Sequence, residues 1–277
     1  MTPDSRRARR GFSLIELIIT LVLVSIIGVA SGRLLMSQTR FYSRLSAQRD
    51  ARSVTRNARN IVQTELAMVE AGGGVVAASN DSITVRMPYA WGVYCAGGTV
   101  LRLPVDSAMY AMASLAGYAI KDTTTAGVYA YTATTTAPTA GTATDCTTTA
   151  GITAPTDGAY LSLSPSPTGT AGAPVLLYQL ITYKFAASGL VSGKLGLFRR
   201  VGTGAAEELV APFDTTAMFR YYNLYADTAQ TTVPTLTNIR GVELKLDAQS
   251  INRSSGQSAP ESASIRTAIF FRNRTDT

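Results

Sequence analysis

Gly11-Phe12-Ser13-Leu14-Ile15-Glu16-Leu17-Ile18-Ile19-Thr20-Leu21-Val22-Leu23-Val24-Ser25-Ile26-Ile27-Gly28-Val29-Ala30-Ser31-Gly32 follows a short basic leader, and Arg33 ends the run. From Phe12 to Gly32 this stretch holds a single charge, Glu16. At ~1.5 Å of rise per residue it is roughly as long as the hydrocarbon core of a bilayer is thick. Arg6, Arg7, Arg9 and Arg10 precede it, opposed only by Asp4, while Arg33, Arg40 and Arg44 follow at lower density. Cationic residues are retained on the cytoplasmic side, so this asymmetry predicts a cytoplasmic N-terminus and an extracytoplasmic remainder. Glu16 breaks the apolar pattern. A carboxylate in a membrane helix costs ~2.5–3.5 kcal/mol on insertion scales, so it calls for a partner or a position shallow enough to reach the headgroups. A cut after Gly11 would give Phe12 a new α-amino group. That amine would lie one helical turn from Glu16 on the same chain, and could equally meet the Glu16 of a neighbour.

The sequence Gly11-Phe12-Ser13-Leu14-Ile15-Glu16, behind a basic leader and ahead of an apolar helix, resembles the class III signal of type IV prepilins and pseudopilins. The resemblance implies a membrane peptidase that cuts between Gly11 and Phe12, N-methylation of Phe12, and a Glu16 that docks on the N-terminal amine of a neighbouring subunit. Farther along, the segments 195–199, 207–210, 218–221 and 239–244, and a last strand ending at 271–273, look like the C-terminal half of PilW-type minor pilins and J-type pseudopilins. The implied function is that of a minor pilin or pseudopilin, a non-enzymatic structural subunit of a type IV pilus or type II secretion-like filament. The implied partners are prepilin peptidase, other pilin or pseudopilin subunits, the pilus assembly platform, and membrane lipid before assembly. No cofactor, metal or nucleic acid is called for. Two export readings compete. Val29-Ala30-Ser31 before Gly32 fits a signal-peptidase site, and Arg9-Arg10-Gly11-Phe12 partly imitates a twin-arginine signal. Either would make the chain a secreted or anchored binding module such as an adhesin. Both leave Glu16 as pure cost and do not explain the helix that follows.

That helix reads clearly. From Arg33 to Ala71 there is neither proline nor glycine. Ala51, Val54, Ala58, Ile61, Val62, Leu66 and Val69 recur at three- and four-residue spacing, which marks one face of a helix. Arg49, Arg52, Arg56 and Arg59 lie largely off that stripe, and Gly72-Gly73-Gly74 is a stop signal. A continuous helix over 12–71 would be ~90 Å long. The alternative is two helices with a kink near Gly28 or Gly32, since glycine weakens a helix by ~1 kcal/mol.

Beyond Gly74 the pattern turns to period two, with strands expected at 82–87, 99–103, 159–163, 175–185, 194–201, 208–212, 218–225, 240–247 and 263–272. In the 240–247 segment Val242, Leu244 and Leu246 alternate with Glu243, Lys245 and Asp247, as in an antiparallel sheet packed on one side. The fold class is therefore α+β, a long helix packed on an antiparallel β-sheet domain. The expected organisation is a leader 1–11 that is cleaved, a membrane or filament-core helix 12–32, its amphipathic continuation 33–71, and a β-rich globular domain 75–277. Within that domain, 122–158 is dominated by Thr, Ala and Gly and reads as a surface insertion, either filler or a contact surface. Cys95 and Cys146 bracket part of it. An extracytoplasmic location permits a disulfide between them, which would tie down the weakest segment of the chain; the alternative is two unrelated thiols.

Composition narrows the chemistry. The 277 residues carry 25 Lys+Arg and 18 Asp+Glu, a formal charge of +7, and no histidine. Setting aside the four leader arginines and Asp4 leaves +4 on the rest, too little for an evident nucleic-acid footprint. Without an imidazole, Ser-His and Cys-His nucleophiles and His-ligated metals are excluded. No GxSxG, P-loop or dinucleotide fingerprint is present. Asp145, Asp157 and Asp227 are candidate calcium ligands by type but read as turn residues. Tyr89, Trp91 and Tyr94 form an aromatic cluster in sequence beside Cys95.

Overall fold

The computed structural model describes residues 13–121, 128–134 and 136–271. Helix α1 (Leu14–Leu66) is continuous for 53 residues, ~80 Å, and runs through Gly28 and Gly32 without a break. The chain then forms β1 (Val75–Ala78), β2 (Ser82–Tyr94), β3 (Thr99–Arg102), the short helix α2 (Ser107–Met112), β4 (Gly117–Lys121), β5 (Tyr129–Ala133) and β6 (Thr139–Ala140). A π-helical turn at Asp145–Ala150 follows, then β7 (Ala159–Ser162), β8 (Pro174–Ala187), β9 (Leu195–Val201), β10 (Glu207–Phe213) and β11 (Met218–Asn223). The last elements are β12 (Ile239–Gln249) and β13 (Ser262–Phe270). The described strands form one antiparallel sheet in the order β11-β12-β10-β9-β8-β2-β3-β7-β6, with β1 on β2, β13 on β12, and the β4–β5 hairpin on β8. The fold is thus α+β, a long N-terminal helix followed by a large antiparallel sheet.

The helix ends at Leu66 rather than Ala71. The N–H groups of Met68 and Val69 bond the carbonyls of Glu65 and Leu66, three residues back, so the last turn tightens. This turns Val69 and Glu70 into the interior, where both are buried. The glycines shape the turn that follows. Gly72 and Gly73 have φ of 76° and 103°, and a Cβ on Gly74 would lie 2.1 Å from the Glu70 carbonyl oxygen.

Two long strands, β2 and β8, form the spine. Their first and second halves serve different cores. Ile83, Val85 and Met87 of β2 join Ile181, Tyr183 and Phe185 of β8 in the main core under α1. Ala90 and Tyr94 join Val175 and Leu177 in a distal core with Tyr118 of β4 and Leu163 beyond β7. Met87 pairs with Gln179, but Ala90 pairs with Leu177, so one extra residue of β2 is accommodated at Pro88-Tyr89. This bulge shifts the phase of β2 and keeps its apolar residues on one face of the sheet. It also lengthens the strand far past the expected end at residue 87. Trp91, half-exposed, and buried Tyr94 fall on opposite faces, so the aromatic residues near Cys95 do not form a single cluster. Tyr89 packs on Tyr110 instead, with ring centroids 5.7 Å apart.

In α1 the buried residues are Ala47, Ala51, Thr55, Ala58, Val62 and Leu66. Val54 and Ile61, expected on the same stripe, are only half-buried at its margins. Small residues along the central line let the helix lie close on β10, β12 and β13. The Thr55 hydroxyl is satisfied by the Arg52 carbonyl at 2.9 Å. At the helix end, Glu65 is held by Arg199, with an Nη2–Oε1 distance of 3.1 Å and an Nε–Oε2 distance of 3.2 Å, and by the hydroxyl of Tyr183. Burial and the Glu65 charge raise the pKa of that phenol, which stays protonated and donates. Because the interface is built on alanine, enlarging it is costly. Ala51→Leu is expected to destabilise the protein by about 1–3 kcal/mol, read as a lower urea midpoint with an unchanged slope. No shift in the midpoint would mean that the helix is not seated as closely as its buried alanines imply.

The Thr-rich stretch 122–158 is more structured than a filler loop, where described. Its β5 pairs with β4, its β6 pairs with β7, and Cys146 is fully buried. Residues 122–127 and 135 lie outside the described residues.

Candidate functional site

The feature that sets this chain apart from an ordinary α+β domain is the first half of α1. Leu14, Ile15, Leu17, Ile19, Leu21, Leu23, Ile26 and Ile27 are all more than half exposed, and so are Leu35, Met36 and Phe41 farther along. An 18-residue window here reaches a mean hydropathy of 2.5 with none of its residues buried. Among the described residues nothing in the sheet domain covers this face. A helix this apolar and this bare is long enough to cross a membrane.

Its few polar groups are prepared for an apolar medium. Thr20 donates to the Leu17 carbonyl at 2.9 Å, Ser25 to Val22 at 2.8 Å, and Thr39 to Leu35 at 2.9 Å. These three hydroxyls are therefore satisfied within the helix, as a non-aqueous surrounding requires. A Cβ on Gly28 or Gly32 would touch nothing. Ser13, in extended conformation, precedes the helix, and its carbonyl accepts the Leu17 N–H at 3.1 Å. Glu16 stands in the first turn, where the free N–H groups of the helix favour a carboxylate. Among the described residues no cation lies within 4 Å of it. Gly11 and Phe12, the expected cleavage and methylation residues, lie outside the described residues.

Residues 6–32 match the family model described as the prokaryotic N-terminal methylation motif. The chain carries a prepilin-type N-terminus. This motif, together with the apolar helix it opens, fits a type IV pilin or pseudopilin and supports a pilin-like precursor anchored by that helix. No curated protein and no solved structure matches the chain at a significant level.

The other candidate residues sit apart from this helix. Cys95, just past β2, and Cys146, on the π-helical turn, form a disulfide with Cα atoms 4.7 Å apart. The Thr99 hydroxyl donates to Asp145 at 2.6 Å beside it, and Cys95 and Cys146 pack with Leu101 in a small satellite core. The three aspartates singled out as candidate calcium ligands do not converge. Asp145 is engaged by Thr99, Asp157 has a positive φ of 67° in a turn, and Asp227 pairs with Arg240 at 3.5 Å. Among the described residues no three His, Cys, Asp or Glu side chains form a metal-binding group. A shallow cleft lined by Ser114, Leu115, Thr134, Pro165, Leu180 and Thr203 has no ionisable side chain among its described lining.

Proposed function

We propose that the protein is a minor pilin or pseudopilin, a non-enzymatic structural subunit of a type IV pilus or type II secretion-like filament. Prepilin peptidase cuts it between Gly11 and Phe12 and methylates the Phe12 amine. Before assembly α1 holds it in the inner membrane, with the leader cytoplasmic and the sheet domain outside. An assembly platform then moves it into a filament of other pilin or pseudopilin subunits. There the segment from Phe12 to Gly32 exchanges lipid for neighbouring helices, and the rest of α1 carries the globular domain. Glu16 meets the Phe12 amine of a neighbour. Paired charges in an apolar setting offset the desolvation that each would suffer alone, and their geometry sets the stagger between subunits.

The observation that carries this reading is the match over residues 6–32 on a helix whose apolar face is left uncovered. The minor rather than major role rests on the resemblance of the C-terminal strands. The test is the mature N-terminus, read by intact mass and N-terminal peptide analysis of membrane-fraction protein from cells with and without prepilin peptidase. N-methylated Phe12 that disappears without the peptidase is the expected result. A start at Gly32, indifferent to the peptidase, would replace this reading with a secreted binding module.

A further inference from the structure

The outward face of α1 beyond the membrane segment carries a row of arginines that the chain does not use. At 100° per residue, Arg49, Arg52, Arg56 and Arg59 fall within an arc of about 80° and span ~15 Å along the helix. All four are exposed. Arg59 bonds only the neutral Gln63 amide, at 3.0 Å. Among the described residues none of the four has a carboxylate within 4 Å, whereas Arg44, Arg199, Arg220 and Arg240 each pair with one. Like charges three and four residues apart destabilise a helix, so this row is a standing cost within the monomer. The positive charges of α1 are all arginine, with no lysine from Leu14 to Leu66. The guanidinium is the weakly hydrated, planar cation suited to bidentate carboxylate or phosphate pairing.

Lipid headgroups and the α1 helix of a second copy are poor sources of the missing negative charge. Arg49 lies about 26 Å along the helix beyond Gly32, where the apolar run ends, and therefore about 18 Å past the outer headgroup layer of a bilayer about 40–45 Å thick. At physiological salt the screening length is about 8 Å, so lipid phosphates do not reach the row in an upright helix. A second copy of this chain offers little on its own helix. Beyond Arg33, α1 has only Asp50 and Glu65, and Glu65 is already held by Arg199. Helix against helix, two copies would bring arginine to arginine.

We infer that the Arg49–Arg59 row is a docking surface for a different subunit that presents aspartate or glutamate side chains at matching helical spacing. The protein would thus assemble beside unlike neighbours rather than beside itself. This rests on the filament reading given above and adds the chemistry of the partner to it.

The experiment uses the full chain in cells that make the filament. Wild type, Arg52→Glu/Arg56→Glu and Arg52→Lys/Arg56→Lys are compared for Phe12 N-methylation, urea midpoint and recovery in sheared filaments. In a fourth sample a photo-cross-linking amino acid replaces exposed Asn60, beside the row. The expected result is that all variants are processed and equally stable. The charge-reversed protein is depleted from filaments roughly tenfold, from the loss of two pairs and the gain of repulsion, while the lysine variant remains. The Asn60 product is a heterodimer cross-linked within an acid-bearing segment of another subunit. Equal incorporation of the reversed variant overturns the proposal, as does a cross-link to a second copy, to lipid or to nucleic acid. Wild type that is not methylated at Phe12, or is absent from filaments, removes the filament reading itself and this proposal with it.

Discussion

Glu16→Ala is expected to leave the protein processed and membrane-bound yet lower its recovery in filaments at least tenfold. The substitution removes the one charge in the apolar stretch, and with it an insertion cost of ~2.5–3.5 kcal/mol, so membrane retention does not suffer. The proposed cleavage acts on the Gly11–Phe12 peptide bond, four residues before Glu16 in the sequence, and is expected not to need the carboxylate. What is lost is the partner for an incoming Phe12 amine. In an assembled bundle that amine would then be buried without a counter-ion, a penalty of several kcal/mol, well above the ~1.4 kcal/mol that separates tenfold populations. The structure supports this division of labour. Glu16 stands in the first turn of α1 with no described cation within 4 Å of it, and its neighbours Leu14, Ile15 and Leu17 are exposed. Glu16→Gln keeps the shape and removes the charge, so it should fail like alanine if charge pairing is the cause. The measurement is the ratio of filament to membrane protein by immunoblot after shearing. Normal incorporation of both variants would sink the docking role.

Much of the fold could be read directly. The α1 stripe is legible because helical periodicity persists over four turns, and Val242, Leu244 and Leu246 of β12 are buried in the alternation the sequence displays. Misses have local causes. The end of β2 was hidden because the bulge at Pro88-Tyr89 breaks period two while preserving the buried face. The expected strand 218–225 stops at Asn223, where the register with β12 shifts, the Leu224 N–H turns to the Asn238 carbonyl, and Tyr225 is 90% exposed. Strands β4 and β5 were missed although Tyr118 and Ile120, and Tyr129 and Tyr131, alternate within them, because each run is only five residues long and is set among Gly, Ala and Thr. The place of the hairpin is fixed by the pairing of β4 along β8, a long-range contact that no local window contains, and β5 pairs in turn on β4. For the site the balance reverses. The spacing of Gly11, Phe12 and Glu16 is a sequence signal, and the structure adds the bare helix face around it. The arginine row was visible as residues off the apolar stripe. Its meaning required knowing that no carboxylate among the described residues comes within 4 Å of it.

The second large effect expected is on stability, from Cys95→Ala/Cys146→Ala. The bridge closes 51 residues of sequence separation, worth roughly 4 kcal/mol in the chain-entropy model. At about 2–4 °C per kcal/mol for a chain of this size, the transition should fall by about 8–16 °C. The loss should not be uniform. The bridge lies in its own satellite core with Leu101, away from the main core under α1, which has its own aromatic packing of Phe185 on Phe213 and Phe219. Within the closed loop, β4 remains paired with β8, but the π-helical turn at Asp145–Ala150 has few other ties, chiefly the Thr99–Asp145 hydrogen bond and the Ile152–Cys146 backbone bond. The first new protease cuts and the fastest hydrogen exchange should therefore appear between β6 and β7, while α1 from Ala47 to Leu66 stays protected. Because the proposed location of the sheet domain is oxidising, wild type should carry this bond without added oxidant. If the double variant melts with wild type and gains no cuts in that region, the strand pairings of β4 and β6 hold the loop by themselves. If α1 loses protection at the same time, the two cores unfold as one unit, and the distal half of the sheet is part of what seats the assembly helix.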